Sequence, residues 1–133
     1  MDNNISKVAK MASSGKTEKH TYVVSMLFNA RTNAHIAHLQ TKSYARHMAL
    51  NDFYEGVIDI ADKFAEASQA SGVLLKGYTL GELCTGDIVP FLEKQYNDLL
   101  GCKKDFTEGH LLQLIDDATE LYATTLYKLK TFA

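Results

Sequence analysis

Residues that impose a special architecture are scarce in this chain. Of its 133 residues one is proline and two are cysteine. Cys84 and Cys102 show no C-x-x-C spacing, which predicts reduced thiols rather than a disulfide framework or a zinc site. No run of eighteen apolar residues is present, and the N-terminus has no hydrophobic signal region. Neither membrane insertion nor secretion is expected, and the predicted compartment is cytoplasmic. The glycine-rich phosphate loop, the G-x-S-x-G elbow and H-E-x-x-H are all missing. So is the E-x-x-H pair of di-iron bundles, because Glu18 and His20, like Glu108 and His110, stand only two apart. A di-iron site within one chain is therefore not expected.

What is present describes one soluble helical domain. The chain is 46% hydrophobic and 23% charged, enough apolar material for a single core. Its formal charge of −2 is unevenly placed. Residues 1–20 carry Lys7, Lys10, Lys16 and Lys19 against Asp2 and Glu18, and read as a flexible lysine-bearing tail ahead of a bundle over 21–133. Such lysines are either a solvated terminus or weak phosphate contacts to DNA. Ile5, Val8 and Met11 fit a short helical turn that Ser13-Ser14-Gly15 would break.

Periodicity then predicts four helices. Thr21–Lys42 forms the first, with Val24, Leu27, Phe28, Ile36 and Leu39 as its buried stripe. Ser43 is the expected N-cap of a second, long helix over Tyr44–Ala70, whose Leu50, Phe53, Val57, Ile60 and Phe64 recur at helical spacing. So short a connection makes the first two helices antiparallel neighbours. Gly72, Gly77, Gly81 and Gly86 mark an irregular crossover. Asp87 caps a third helix with Pro90 in its first turn, ending at a Gly101 cap. Thr107 caps a fourth, with Leu111, Leu114, Ile115, Ala118, Leu121, Tyr122 and Leu126 facing the core. Asp116, Asp117 and Glu120 read as its solvated face.

The second helix carries the candidate chemistry. His47, Asn51, Glu55, Asp62 and Glu66 share an arc of about 100° away from the core stripe. His47 and Asn51 are four apart, as are Asp62 and Glu66, so each pair can address one ion. His47 and Asp62, fifteen residues apart, are separated by about 22 Å of helix. Joint action would need a second, antiparallel copy across a two-fold axis. His35 and His38 share a face near the end of the first helix, as metal ligands or as hydrogen-bonding partners.

This combination of His38, His47 and Asp62-Lys-Phe-Ala-Glu66 resembles the Dps-type mini-ferritins. It also resembles small ferritin-like proteins of tailed phages. The resemblance implies an all-α, ferritin-like four-helix bundle with a crossover between two helical hairpins. It also implies a homodimer through helix 2, with a larger shell as an extension. His38, His47, Asn51, Asp62 and Glu66 would be its metal ligands. Of these, His38, His47, Asp62 and Glu66 would carry Fe(II) oxidation, with iron or another divalent metal bound. The sequence departs from the family pattern in having Asn51 where an aspartate stands and in lacking the tryptophan and G-x-x-F signature. Asn51 removes one negative charge, which predicts one tightly held ion per site and weakened ferroxidase activity. The alternative is a non-catalytic ferritin-like interaction protein, phage-encoded, that binds a protein partner.

Overall fold

The computed structural model describes the backbone of residues 3–132, and side chains from residue 17 to 132. Its regular structure is helical, with no strand among those residues: α1 (Asn3–Gln40), α2 (Tyr44–Ser68), α3 (Ile88–Cys102) and α4 (Gly109–Thr131). Single 3-10 turns, Gln69–Ser71 and Lys103–Asp105, follow α2 and α3.

The expected caps account for two of the helix starts. Ser43 has extended backbone and its hydroxyl accepts from the Arg46 amide at 3.2 Å, opening α2. Asp87 does the same for α3 through the Val89 amide at 3.3 Å. Gly72, whose φ of +94° only glycine adopts without strain, ends the 3-10 turn that follows α2. Other boundaries move. α1 is continuous through Ser13-Ser14-Gly15, since one glycine costs a helix only about 1 kcal/mol. The boundary drawn at residue 20 therefore falls inside α1. Lys7, Lys10 and Lys16, read as phosphate contacts, lie outside the residues whose side chains are described; Lys19 pairs with Asp105 at 3.5 Å. α3 runs through Gly101 to Cys102, and the N-cap of α4 is Glu108 rather than Thr107, without a side-chain cap.

The core lies between the four helices. α1 packs against α2 and α3, and α4 against α2 and α3. Leu50, Phe53, Val57 and Phe64 of α2 are buried, with Ile60 at the edge. Phe53 meets Tyr122 of α4 edge-on at 4.9 Å. Burying each such side chain contributes about 1.5–3 kcal/mol. In α1 the buried stripe is Val23, Val24, Leu27, Ala30 and Ala34. Phe28 and Leu39, predicted to be core, are outside it, with Leu39 69% exposed. A polar chain also runs through the core: Tyr122 donates its hydroxyl to Gln95 Oε1 at 2.8 Å, and Gln95 Nε2 donates to the Met26 carbonyl at 3.3 Å.

Hydrogen bonds trace the direction of each helix. With the turn at 41–43 called the upper end, α1 rises and α2 descends, and Ser68 at its foot meets His20 of α1. The segment 72–87 climbs back along α1 as an extended strap. Its Thr79 amide donates to Ser25 Oγ at 3.1 Å and its Cys84 amide to Asn33 Oδ1 at 2.6 Å. Arg46, at the top of α2, pairs with Asp87 at 3.2 Å where α3 begins. α3 then descends beside α1, through Gln95 near Met26 to Asp105 near Lys19. α4 rises from Glu108 until the Leu129 carbonyl reaches Arg46 Nη2 at 3.5 Å.

Candidate functional site

The candidate imidazoles meet at the upper end, where the three-residue turn 41–43 folds α2 back onto α1. His38 Nδ1 lies 2.7 Å from the His47 carbonyl, and His47 Nδ1 lies 3.0 Å from the His38 carbonyl. A carbonyl only accepts, so both Nδ1 atoms carry the hydrogen and each neutral ring keeps its lone pair on Nε2. The His38 carbonyl is among the last four of α1, which have no helical amide to receive. The two rings stack face to face, centroids 3.7 Å apart and planes inclined by 21°. This reciprocal pair closes the α1–α2 hairpin from both sides.

A second layer surrounds the pair. His35 stacks on Tyr54 at 4.1 Å, and Tyr54 meets His38 edge-on at 5.4 Å. The Tyr54 hydroxyl donates to Asn51 Oδ1 at 2.9 Å. Sequence reasoning named His35 and Asn51 but missed Tyr54. Its position, three residues after Asn51 and seven after His47, was the available signal.

This geometry separates the proposed ligands. Imidazole lone pairs lie in the ring plane, and metal–nitrogen bonds are about 2.0–2.1 Å. Two stacked rings 3.7 Å apart cannot both aim at one ion unless a ring turns. Asn51 already uses its oxygen to accept from Tyr54. Asp62 and Glu66 stand exposed on α2, about 22 Å and about 28 Å of helix below His47. Within the chain, no group of three or more His, Cys, Asp or Glu able to hold a metal is present among the described residues. The exposed face of α2 is acidic along its length, with Asp52, Glu55, Asp59, Asp62 and Glu66 within an arc of about 80°. Of these, Asp59 pairs with Lys63 at 3.1 Å. Beside that face, a groove of about 500 Å³ runs between α1 and α2, floored by Phe28, Tyr54 and Ile58.

Outward apolar side chains form the other distinctive surface. On the strap Val73, Leu74, Tyr78, Leu80 and Leu83 face solvent, Leu80 completely. Tyr78 stacks on Phe28 of α1 at 6.1 Å. The amides of Leu75, Thr79 and Cys84 are tied to Gln69, Ser25 and Asn33, so these side chains project from an anchored backbone. Both thiols are free. Cys84 Sγ donates to the Gly86 carbonyl at 3.4 Å. Burial, then Asp105 and Asp98, raise the Cys102 pKa. No helix is long and apolar enough to cross a membrane among the described residues.

Comparison with known proteins adds a lineage. Over 60 residues the chain is 38% identical to an uncharacterized 14.6 kDa protein in the mobD-ri intergenic region of Enterobacteria phage T4. That match covers 45% of this chain and 47% of the phage protein, so the chain spans about half the length of the curated relative it matches. No solved structure matches the chain. A family model described as a family of unknown function matches residues 38–129, from the first imidazole of the stacked pair to the last buried leucine of α4. With more than two thirds of its length matched, the chain belongs to the DUF5856 family.

Proposed function

We propose that the chain is a ferritin-like helical bundle that serves as an interaction protein, binding a protein partner through its strap, with the hairpin imidazoles acting as structure. The ferritin-like part is supported by the course of the chain. Helices rise, descend, descend and rise, with a connection that returns along the bundle between two hairpins. The observation that carries the function is the strap. Tyr78, Leu80 and Leu83 are turned to solvent on a segment whose own amides are hydrogen-bonded down to α1. Anchored apolar side chains of this kind lose little conformational freedom on binding. The phage relative supports a phage setting for the partner.

A second reading keeps the mini-ferritin function: Fe(II) binding and oxidation, with Asp62 and Glu66 supplied by a second copy packed antiparallel through α2. One observation favours it. Donation of Nδ1–H to a backbone carbonyl is the arrangement that orients a histidine for metal through Nε2. Against it, two acidic α2 faces would repel unless cations lay between them.

The deciding experiment follows Fe(II) oxidation by near-ultraviolet absorbance, with particle mass recorded on the same samples. The interaction reading expects oxidation at the buffer rate, unchanged in Asp62→Ala. It also expects Leu80→Asp/Leu83→Asp to keep the wild-type melt while abolishing cross-linking to the partner in infected cells. Oxidation above buffer that disappears in Asp62→Ala, on a particle of several subunits, would replace it with the mini-ferritin reading.

A further inference from the structure

A separate site lies at the lower end of the bundle, opposite the hairpin turn. Ser68 is the last residue of α2, and its hydroxyl oxygen lies 2.8 Å from His20 Nδ1 of α1. His20 is 8% exposed, and its ring is held edge-on to Phe106 at 4.9 Å. The pair opens onto a cavity of about 310 Å³, lined also by Ser71, Glu108, His110 and Leu111. We propose that Ser68 is a nucleophile, His20 its general base, and that this cavity accepts small carboxylic esters and hydrolyses them by acyl transfer. The site is independent of the interaction reading, which concerns the strap.

Three features fit the chemistry. A serine hydroxyl is a weak nucleophile until a base within hydrogen-bonding reach takes its proton, and His20 stands at that distance. The ring is oriented by Phe106, so the base does not have to be gathered from solvent. The third feature is the wall opposite. The first amides of α4, those of Gly109 and His110, have no carbonyl one turn back, and Glu108 gives no side-chain cap. The amides of Leu111 and Leu112 are instead turned to the Glu108 carbonyl. Glu108, His110 and Leu111 thus place the N-terminal end of α4 along the cavity, the positive end of a helix dipole, which favours a developing oxyanion.

The reaction consumes only the ester and one water. With its other ring nitrogen protonated, His20 accepts the Ser68 proton at Nδ1 as Oγ attacks the ester carbonyl. A C–O bond forms and the carbonyl electron pair moves to oxygen. Collapse breaks the ester C–O bond, and the leaving alkoxide takes the proton from His20. The acyl group remains on Ser68 until water attacks it, again with proton transfer to His20, releasing the acid and the free serine.

The test treats the full chain with a fluorophosphonate probe and locates the adduct by peptide mass. Ser71 lines the same cavity and serves as an internal control. Labelling of Ser68 is expected to be at least about tenfold faster than of Ser71, given a general base worth about 10²–10⁴-fold. p-Nitrophenyl acetate should be hydrolysed with an initial burst. Ser68→Ala should abolish both signals while the variant still folds cooperatively, and His20→Gln should slow Ser68 labelling about a hundredfold. If His20→Gln does not fold, Ser68→Ala decides alone, because it removes a single oxygen. Equal labelling of Ser68 and Ser71, absence of a Ser68 adduct, or ester hydrolysis that persists in Ser68→Ala would each overturn the proposal.

Discussion

Replacing His47 with phenylalanine should separate a structural from a metal-binding role at the hairpin turn. The substitution keeps a flat ring against His38 but removes the hydrogen bond to the His38 carbonyl, now 3.0 Å long. A net hydrogen bond contributes about 0.5–1.5 kcal/mol, and ring stacking about as much again. His47→Phe should therefore cost about 1 kcal/mol and His47→Ala, which loses both, about 2–3 kcal/mol. At this chain length each kcal/mol lowers the melting temperature by roughly 3–5 °C. Circular dichroism melts of the two variants, each run in chelator and in excess Co(II), provide the assay. If the reciprocal pair is a structural lock on the hairpin, the ordering wild type, Phe, Ala is expected in both buffers, with no metal-dependent rise. A ligand bound only by the folded state at a hundred times its dissociation constant would instead raise stability by about 2.7 kcal/mol. A metal-dependent rise in wild type that vanishes in His47→Phe, with the chelator melts of the two coinciding, would refute the lock.

Four further outcomes follow from the geometry. Tyr122→Phe leaves Gln95 Oε1 buried without its donor and should cost about 1–3 kcal/mol by chemical denaturation, whereas a surface Tyr44→Phe should cost nothing measurable. Gly81→Ala should loosen the strap, because a Cβ there would collide with the Asn29 side chain, which itself accepts from Asn33 at 2.8 Å. Faster hydrogen exchange at the Cys84 amide would report it. Alkylation at pH 8 should modify Cys84 well before Cys102: burial raises the Cys102 pKa, so less of it is thiolate at a given pH, and mass spectrometry of timed samples reads the order. Ser43→Ala removes the N-cap of α2 and should lower stability by about 1 kcal/mol in the same melts.

Much of the bundle was legible because its signals are local. Ser43, Asp87 and Gly72 act on their own neighbours, and the stripe of α2 is fixed by periodicity. The misread positions depended on partners elsewhere in the chain. Phe28 lies outside the core, where Tyr78 of the strap stacks on it, and no spacing rule links residues fifty apart. Thr107 looked like a cap, but the chain enters α4 one residue later, at Glu108, which makes no side-chain cap. The candidate site was legible as a set of residues and not as an arrangement. His38 and His47 were named, yet that each would turn to the other's carbonyl depends on a turn of only three residues pressing the helix ends together. The acidic run on α2 was visible as a polar arc, while Ser68 with His20, forty-eight residues apart, carried no pattern at all.

The climbing strap also fixes where the chain can be opened and rejoined. Because α1 and α4 both rise, residue 20 lies near the foot of the bundle and Leu129 near its head. A permutant joining Leu129 to residue 20, with the part of α1 ahead of it left out, would have to span the 25 residues of α2, about 37 Å. At roughly 3.3 Å per extended residue that requires a linker of about twelve residues or more.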